Sequence, residues 1–189
     1  MSGFTAVLDA CVLYPIPLCD LLVSLAKAGL YRAKWSQQIH DEWKRNLLAN
    51  RPDLDVEKLD RRCTNMNTAV PDSLVTGYED IIELLTLKDP DDRHVVATAI
   101  RSNADSIVTF NQKDFDEEEL AKYDLYTEHP DEFVSNMIEL YHPKVISTVK
   151  TMRARLKNPP KSIDEFLETL RQQGLPQTVE KLSAYSDSL

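Results

Sequence analysis

Short apolar runs recur along the chain, and the two clearest of them stop at polar residues. The run FTAVL, from Phe4 to Leu8, ends at Asp9, and the run SIVTF, from Ser106 to Phe110, ends at the polar segment 111–114. Such continuous apolar runs are typical of parallel strands that are buried on both faces of a sheet. Weaker runs predict two further strands, over residues 31–35 and 124–127.

Segments with apolar residues at helical spacing separate these runs. They predict helices over residues 18–29, 36–47, 53–66, 78–87, 95–100 and 130–141, with a loop at 71–77. Beyond Pro143 the pattern predicts only helices: a basic one over 145–156, one that starts at the capping-box pair Ser162 and Glu165, and one after Pro176.

The alternation of strands and helices predicts a three-layer α/β/α domain with a central, mostly parallel sheet. A chain of 189 residues is long enough for one such domain and a small helical appendage. We therefore predict an α/β domain over residues 1–142 and a helical C-terminal extension over residues 143–189.

Four acidic residues lie at the ends or starts of these predicted elements: Asp9, Glu42, Asp92 and Asp114. Asp9 and Asp114 follow two candidate strands, and ligand sites of parallel sheets lie beyond the carboxyl ends of the strands. We expect both to converge there with Glu42 and Asp92. Carboxylate oxygens are the ligands that Mg²⁺ and Mn²⁺ prefer, and such ions activate water for attack on phosphorus. The pattern therefore favours metal-dependent hydrolysis of a phosphodiester.

Each of these acids also has a structural interpretation. Asp9 can cap the next turn, Glu42 can be the solvated flank of its helix, and Asp114 can be a turn residue. At least one acid of the segment DPDD, residues 89–92, is expected to serve the start of the following helix. The four histidines show no pairing pattern, and we assign none of them to chemistry.

Composition narrows the class of protein. No apolar run approaches the roughly 20 residues of a membrane span, and no signal peptide is recognisable. The three cysteines follow no zinc spacing. We therefore expect a cytoplasmic protein without membrane association. The net charge of -9 argues against binding nucleic acid by bulk electrostatics, although a local basic rim can coexist with it. With only four glycines, a dinucleotide fingerprint is excluded.

Four segments occur in an order and at distances that resemble the PIN-domain ribonucleases, including the toxins of bacterial VapBC-type toxin-antitoxin pairs. The segments are AVLDACVLY, IHDEWKRNL, DPDDRHVVATAI and ADSIVTFNQKDF, and the match runs from about Phe4 to Tyr141. The resemblance implies a PIN-like fold and four metal-binding acids, Asp9, Glu42, Asp92 and Asp114. It also implies Asp91 as the nearby alternative to Asp92, and Thr109 and Asn111 as polar neighbours.

One position departs from the family pattern. The family usually has Asn or Ser two residues after the first aspartate, whereas this chain has Cys11. Because a thiol is a weak hydrogen-bonding group, we expect lower activity or an altered metal preference.

The resemblance implies an endoribonuclease that depends on Mg²⁺ or Mn²⁺ and acts as the toxin of a toxin-antitoxin pair. Its expected partners are an RNA substrate, a cognate antitoxin protein and a second copy in a homodimer. The basic helix of the extension, with Arg153 and Arg155, can contact RNA or the antitoxin, while a solvated helix face is the default interpretation.

Three alternative functions have less support from the sequence. A general RNA-processing nuclease would use the same site without an antitoxin. A catalytically weak PIN-like binding module would keep the acids as relics. A phosphatase or receiver domain is less well supported, because a phosphatase would need a second acid where Cys11 stands.

Overall fold

Five parallel strands form the centre of the fold in a computed structural model, which describes residues 3–189. The strands lie in the order β3-β2-β1-β4-β5, and every neighbouring pair is parallel. Their bounds are β1 Thr5–Leu8, β2 Arg32–Ser36, β3 Leu74–Val75, β4 Ser106–Val108 and β5 Tyr126–Glu128. The predicted fold class, a three-layer α/β/α arrangement with a helical C-terminal extension, is confirmed.

Helices flank the sheet and make up the C-terminal part of the chain. Their bounds are α1 Ala10–Leu13, α2 Ile16–Lys27, α3 Gln37–Asn50, α4 Val56–Ala69, α5 Glu79–Ile82, α6 Arg93–Arg101, α7 Glu117–Ala121, α8 Pro130–Ala154, α9 Ile163–Gln172 and α10 Pro176–Ser183. Within residues 3–189, none of them combines the length and the apolar character needed to cross a membrane.

The central strand β1 explains why the first apolar run shows no polar alternation. It pairs with β2 on one side and β4 on the other, and Ala6, Val7 and Leu8 are completely buried. A strand covered on both faces has no solvent side on which polar residues would be favourable. The first acidic side chain therefore appears only where the strand ends, at Asp9.

The segment between α4 and α6 differs from the sequence prediction. The predicted loop at 71–77 contains β3, whose two residues pair with Trp35 and Ser36 of β2. The predicted helix at 78–87 is reduced to the four residues of α5, because Tyr78 gives no side-chain cap and none of those four residues is fully buried. A short helix without a cap or a fully buried side chain has few of the contacts that sustain such helices in proteins.

Helix α8 bends where the sequence places a proline. Tyr141 has non-helical angles (φ -139, ψ 33), two residues before Pro143. Proline has no amide hydrogen and its ring crowds the carbonyl four residues earlier, so a kink is expected there. The proposed boundary between residues 142 and 143 lies at this bend, and it remains a prediction.

Arg153 in the second half of α8 is engaged within the extension. Its guanidinium donates to the carbonyl oxygen of Lys161 at 3.1 Å and to that of Leu189 at 2.9 Å and 3.2 Å. These bonds give Arg153 a structural role within the extension, and its contact with RNA or an antitoxin stays a prediction. Arg155 is exposed and instead lies beside Asp20 of α2, with 3.4 Å between Nη2 and Oδ1.

A buried carboxylate joins the two ends of the helical C-terminal region. Asp131, in the first turn of α8, is 2% exposed and accepts hydrogen bonds from the backbone amides of Gln177 and Thr178 at 2.9 Å and 2.8 Å. These amides belong to the first turn of α10, whose own N-cap residue, Leu175, provides no side-chain bond. Asp131 therefore caps α10 from another helix and satisfies amides that have no partner inside α10.

Replacing this carboxylate should destabilise the fold. We expect Asp131→Ala to lower the free energy of unfolding by about 2–4 kcal/mol, because two buried amides lose their acceptor. Urea unfolding followed by circular dichroism measures the change. Asp164→Ala, in the exposed first turn of α9, is the matched control and should change stability by less than about 0.5 kcal/mol. Equal effects of the two substitutions would contradict the capping role.

Candidate active site

Asp9 lies directly after β1 and is 4% exposed. Its Oδ1 accepts from the backbone amide of Ala10 at 2.6 Å, while its Oδ2 accepts from the hydroxyl of Thr109 at 2.7 Å and the thiol of Cys11 at 3.2 Å. Burial raises the pKa of Asp9, the bonds from Thr109 and Cys11 oppose that rise, and the charge of Glu42 adds to it. Asp9 thus caps α1 with one oxygen and is fixed at the end of the sheet by the other.

The register of the sheet brings Asp9 and Thr109 together. Leu8 of β1 is paired with Val108 of β4, so the next residue of each strand emerges at the same edge. Thr109 is completely buried, and its hydroxyl oxygen also accepts from the backbone amide of Asn111 at 3.0 Å. The side chain of Asn111 is exposed, so its contact with this group passes through its backbone.

Cys11 is a neutral donor at this site. Burial raises the pKa of its thiol to about 12, with a further contribution from the charge of Asp9. The sulfur also accepts from the backbone amide of Phe110 at 3.4 Å. At neutral pH the thiol therefore keeps its proton and donates a hydrogen bond to Asp9. Cys11 thus supports the carboxylate without adding a negative charge.

Glu42 lies on α3 and faces His94 of α6, with 3.1 Å between Oε2 and Nε2. His94 is 4% exposed, and its Nδ1 has no hydrogen-bond partner among residues 3–189. The sequence pattern assigns no histidine to chemistry and therefore does not predict this contact. The two residues are 52 positions apart, and no local pattern links them.

Asp92 directly precedes α6, but its side chain makes no capping bond. Asp89 is the acid of this segment that caps a helical turn. Its Oδ1 accepts from the amide of Asp91 at 2.9 Å, in the 3₁₀ turn Pro90–Asp92. Burial raises the pKa of Asp92 to about 7, and four carboxylates add to the rise in this order: Asp9, Asp89, Glu42 and Asp114. Asp91, the alternative to Asp92, is exposed and is not among these charges.

The charges that act on Asp92 indicate that the other three sequence-predicted acids lie within its electrostatic reach. Asp114, half-buried on the 3₁₀ turn Gln112–Asp114, has the weakest influence of the four charges, and Asp89 is a further charge that is not among the four acids predicted from the sequence. No group of three His, Cys, Asp or Glu side chains within the described residues 3–189 forms a ready-made ligand set.

The donor set nevertheless fits a hard divalent cation in its chemistry. It consists of carboxylate oxygens, which Mg²⁺ and Mn²⁺ prefer. Burial and, after it, the neighbouring carboxylates raise the pKa of Asp92, and a bound cation would favour its ionised form. Ligation would require the side chains to close in from their present positions.

Replacement of Asp92 should make stability less sensitive to pH in the metal-free protein. The folded pKa of about 7 exceeds the ordinary value of 3.8, so the charged carboxylate destabilises the fold increasingly as pH rises between these values. We expect Asp92→Asn to leave stability unchanged below about pH 4 and to raise it by about 1–2 kcal/mol above pH 7, after a discount for solvent screening.

Chemical unfolding in the presence of a chelator, repeated across this pH range, measures the difference. Asp91→Asn is the matched control, because Asp91 is the exposed neighbour of the same type. A gain for Asp92→Asn that did not change with pH, or an equal gain for Asp91→Asn, would contradict the assignment of the raised pKa.

Comparisons with known proteins agree with this architecture. The family model "PIN domain" matches residues 5–113, and the family model "VapC50 C-terminal domain" matches residues 130–184. A Mycobacterium tuberculosis (strain ATCC 25618 / H37Rv) protein with the name "Putative ribonuclease VapC50" is 33% identical over 119 residues, which cover 61% of this chain and 69% of that protein. No solved structure matches. The chain therefore belongs to the PIN-domain family, with a C-terminal part of the VapC50 type.

Proposed function

We propose that this protein is a divalent-metal-dependent endoribonuclease and the toxin of a toxin-antitoxin pair. The observation that carries the proposal is Asp9, buried at the end of β1 and held by Thr109 beside carboxylates whose charges raise the pKa of Asp92. Membership of the PIN-domain family and the similarity to a protein named as a ribonuclease support the reaction class.

The residues proposed to hold the metal are Asp9, Glu42 and Asp92, with Asp114 as a fourth acid. A bound Mg²⁺ or Mn²⁺ would supply positive charge for the scissile phosphate and a water of lowered pKa as nucleophile. The relative is named as a ribonuclease, and we therefore propose an RNA strand as the substrate of this chain.

Neighbouring side chains would keep these acids in place. Thr109 and Cys11 both donate to Oδ2 of Asp9, so this oxygen has little freedom to rotate away. His94 holds Oε2 of Glu42 at 3.1 Å from a position that is almost fully buried. Such supporting contacts lower the entropy that the ligands lose when they close around an ion, and their loss typically weakens a metal site 10–100-fold.

The toxin assignment is supported by the C-terminal part of the chain. Residues 130–184, which match the C-terminal domain model of the VapC50 type, form helices that follow the PIN-domain match. On this basis we propose a VapB-type antitoxin protein as the partner that restrains the nuclease.

Removal of the first acid should abolish the activity. We expect Asp9→Asn to reduce cleavage of single-stranded RNA in the presence of Mn²⁺ by at least roughly a hundredfold, because the central proposed ligand is lost. Expression of the parent protein in a bacterial host should arrest growth, and Asp9→Asn should not. Asp91→Asn serves as the control and should behave like the parent.

Thermal unfolding of Asp9→Asn distinguishes loss of the site from loss of the fold. The substitution removes a buried charge with a raised pKa but also replaces one of the two acceptor oxygens, and because these effects oppose each other we expect a melting temperature close to that of the parent. An Asp9→Asn protein that cleaved RNA as well as the parent would refute the proposed site.

Metal binding should depend on Glu42 and on pH. We expect isothermal titration with Mn²⁺ to show affinity that increases from about pH 6 to pH 8, because Asp92, with a pKa of about 7, must lose its proton. Glu42→Gln should weaken binding by roughly 10–100-fold. Glu57→Gln, in the exposed first turn of α4, should not change it. Binding that did not depend on Glu42 would favour a catalytically weak binding module with the acids as relics.

A further inference from the structure

A basic groove lies between α2, α4 and the C-terminal end of α8. It encloses a cavity of about 520 Å³. Five basic side chains line it, from all three elements: Lys27, Lys58, Arg61, Arg62 and Arg155. The acidic residue among the described lining residues is Asp20, which pairs with Arg155 at 3.4 Å.

Three of these cations have no side-chain partner within residues 3–189. Lys27, Lys58 and Arg61 are exposed, and none of them has a hydrogen bond or an ion pair to another side chain in the part of the chain that the structure describes. The chain carries a net charge of -9, so acids to pair with are abundant. Cations that remain unpaired around one cavity create a local positive potential on an otherwise acidic protein.

Arg62 connects this basic groove to the candidate active site. Its guanidinium donates to the backbone carbonyl oxygens of Leu13 and Tyr14 and stacks 4.4 Å from the ring centre of Trp43. Leu13 ends α1, which begins directly after Asp9, and four helical residues span about 6 Å. Trp43 directly follows Glu42. The basic groove therefore begins one short helix away from the carboxylates.

The walls of the groove also provide apolar surface. Ile16 is 65% exposed at its edge, and Val23 and Met66 contribute to its lining. A single nucleic-acid strand presents phosphates on one side and bases on the other, and proteins bind such strands with a positive groove and apolar contacts to the bases. The cations of the groove would face the phosphates of such a strand, and its apolar side chains would face the bases.

We propose that the basic groove binds the sugar-phosphate backbone of the RNA substrate on one side of the bond that is cleaved. This inference rests on the proposed ribonuclease function and adds the path of the substrate to it. An acidic protein segment would also pair with the cations, but the position of the groove beside α1 favours a strand that continues to Asp9. The acidic remainder of the surface would repel RNA, so the strand is held only along this path.

The test is a charge reversal in the full-length chain. Lys58→Glu combined with Arg61→Glu changes two cations on the exposed face of α4, and Asp9→Asn in the same protein prevents cleavage during the measurement. Fluorescence anisotropy with a single-stranded RNA oligonucleotide, in a chelating buffer, should give a Kd raised by at least about tenfold. The slope of log K against log salt should fall by about 1.4, because two phosphate contacts are lost.

A second pair of substitutions controls for net charge. Lys144→Glu combined with Arg171→Glu changes the charge by the same amount at exposed positions of α8 and α9, away from the groove. This pair should leave the Kd of the Asp9→Asn protein within about twofold. Equal weakening by both pairs would overturn the proposal, since the effect would then come from net charge alone. Thermal unfolding checks that both proteins are folded.

Kinetics with Asp9 intact separate the groove from the active site. Lys58→Glu combined with Arg61→Glu should raise KM for RNA and leave kcat largely unchanged. If the parent cleaves RNA but the reversal changes neither Kd nor KM, the groove proposal is wrong and the nuclease proposal stands. If the parent binds RNA through the groove but cleaves none, the nuclease proposal is wrong and the groove stands. Displacement of RNA by a polyglutamate peptide at equal charge would overturn the assignment to RNA in favour of an acidic protein segment.

Discussion

The parallel register of β1 against β4 is the constraint on which the candidate site depends. Because Leu8 pairs with Val108, the residues that follow them, Asp9 and Thr109, emerge side by side and form a 2.7 Å hydrogen bond. A shift of one residue would turn every side chain of β4 to the other face of the sheet. That shift is prevented because both strands are buried, so the packing of the core also determines the orientation of Asp9.

The same burial works against the carboxylates that it positions. Asp9 loses its hydration, and Asp92 has a pKa near 7 because burial and neighbouring charges disfavour its ionised form. The cost is concentrated at one edge of the sheet, while the apolar core, which includes the completely buried Leu21, Leu22 and Leu25, contributes the stability that offsets it. A cation that bound only the folded chain would recover part of that free energy as stability. Stability and metal binding are therefore coupled at this site.

The sequence predicts the features that are local in the chain and misses those that are not. Apolar runs and their ends place four of the five strands and the acid Asp9, because both signals lie within a few residues. Strand β3 has only two residues and exists through its pairing with β2, so it leaves no pattern of its own. The contact of His94 with Glu42 joins residues that are 52 positions apart. The cap that Asp131 gives to α10 spans 46 positions, and no capping signal precedes that helix.

The C-terminal helices determine where Arg155 lies in the basic groove. Asp131 fixes α10 against the start of α8, and near the end of α8 Arg153 donates to the carbonyl oxygens of Lys161 and Leu189, so both ends of α8 are tied to the segments that follow it. This end places Arg155 beside Asp20, the acidic residue of the groove. An exposed ion pair of this kind contributes little to stability. Its larger consequence is electrostatic: it cancels the negative charge inside the groove and leaves the remaining cations uncompensated.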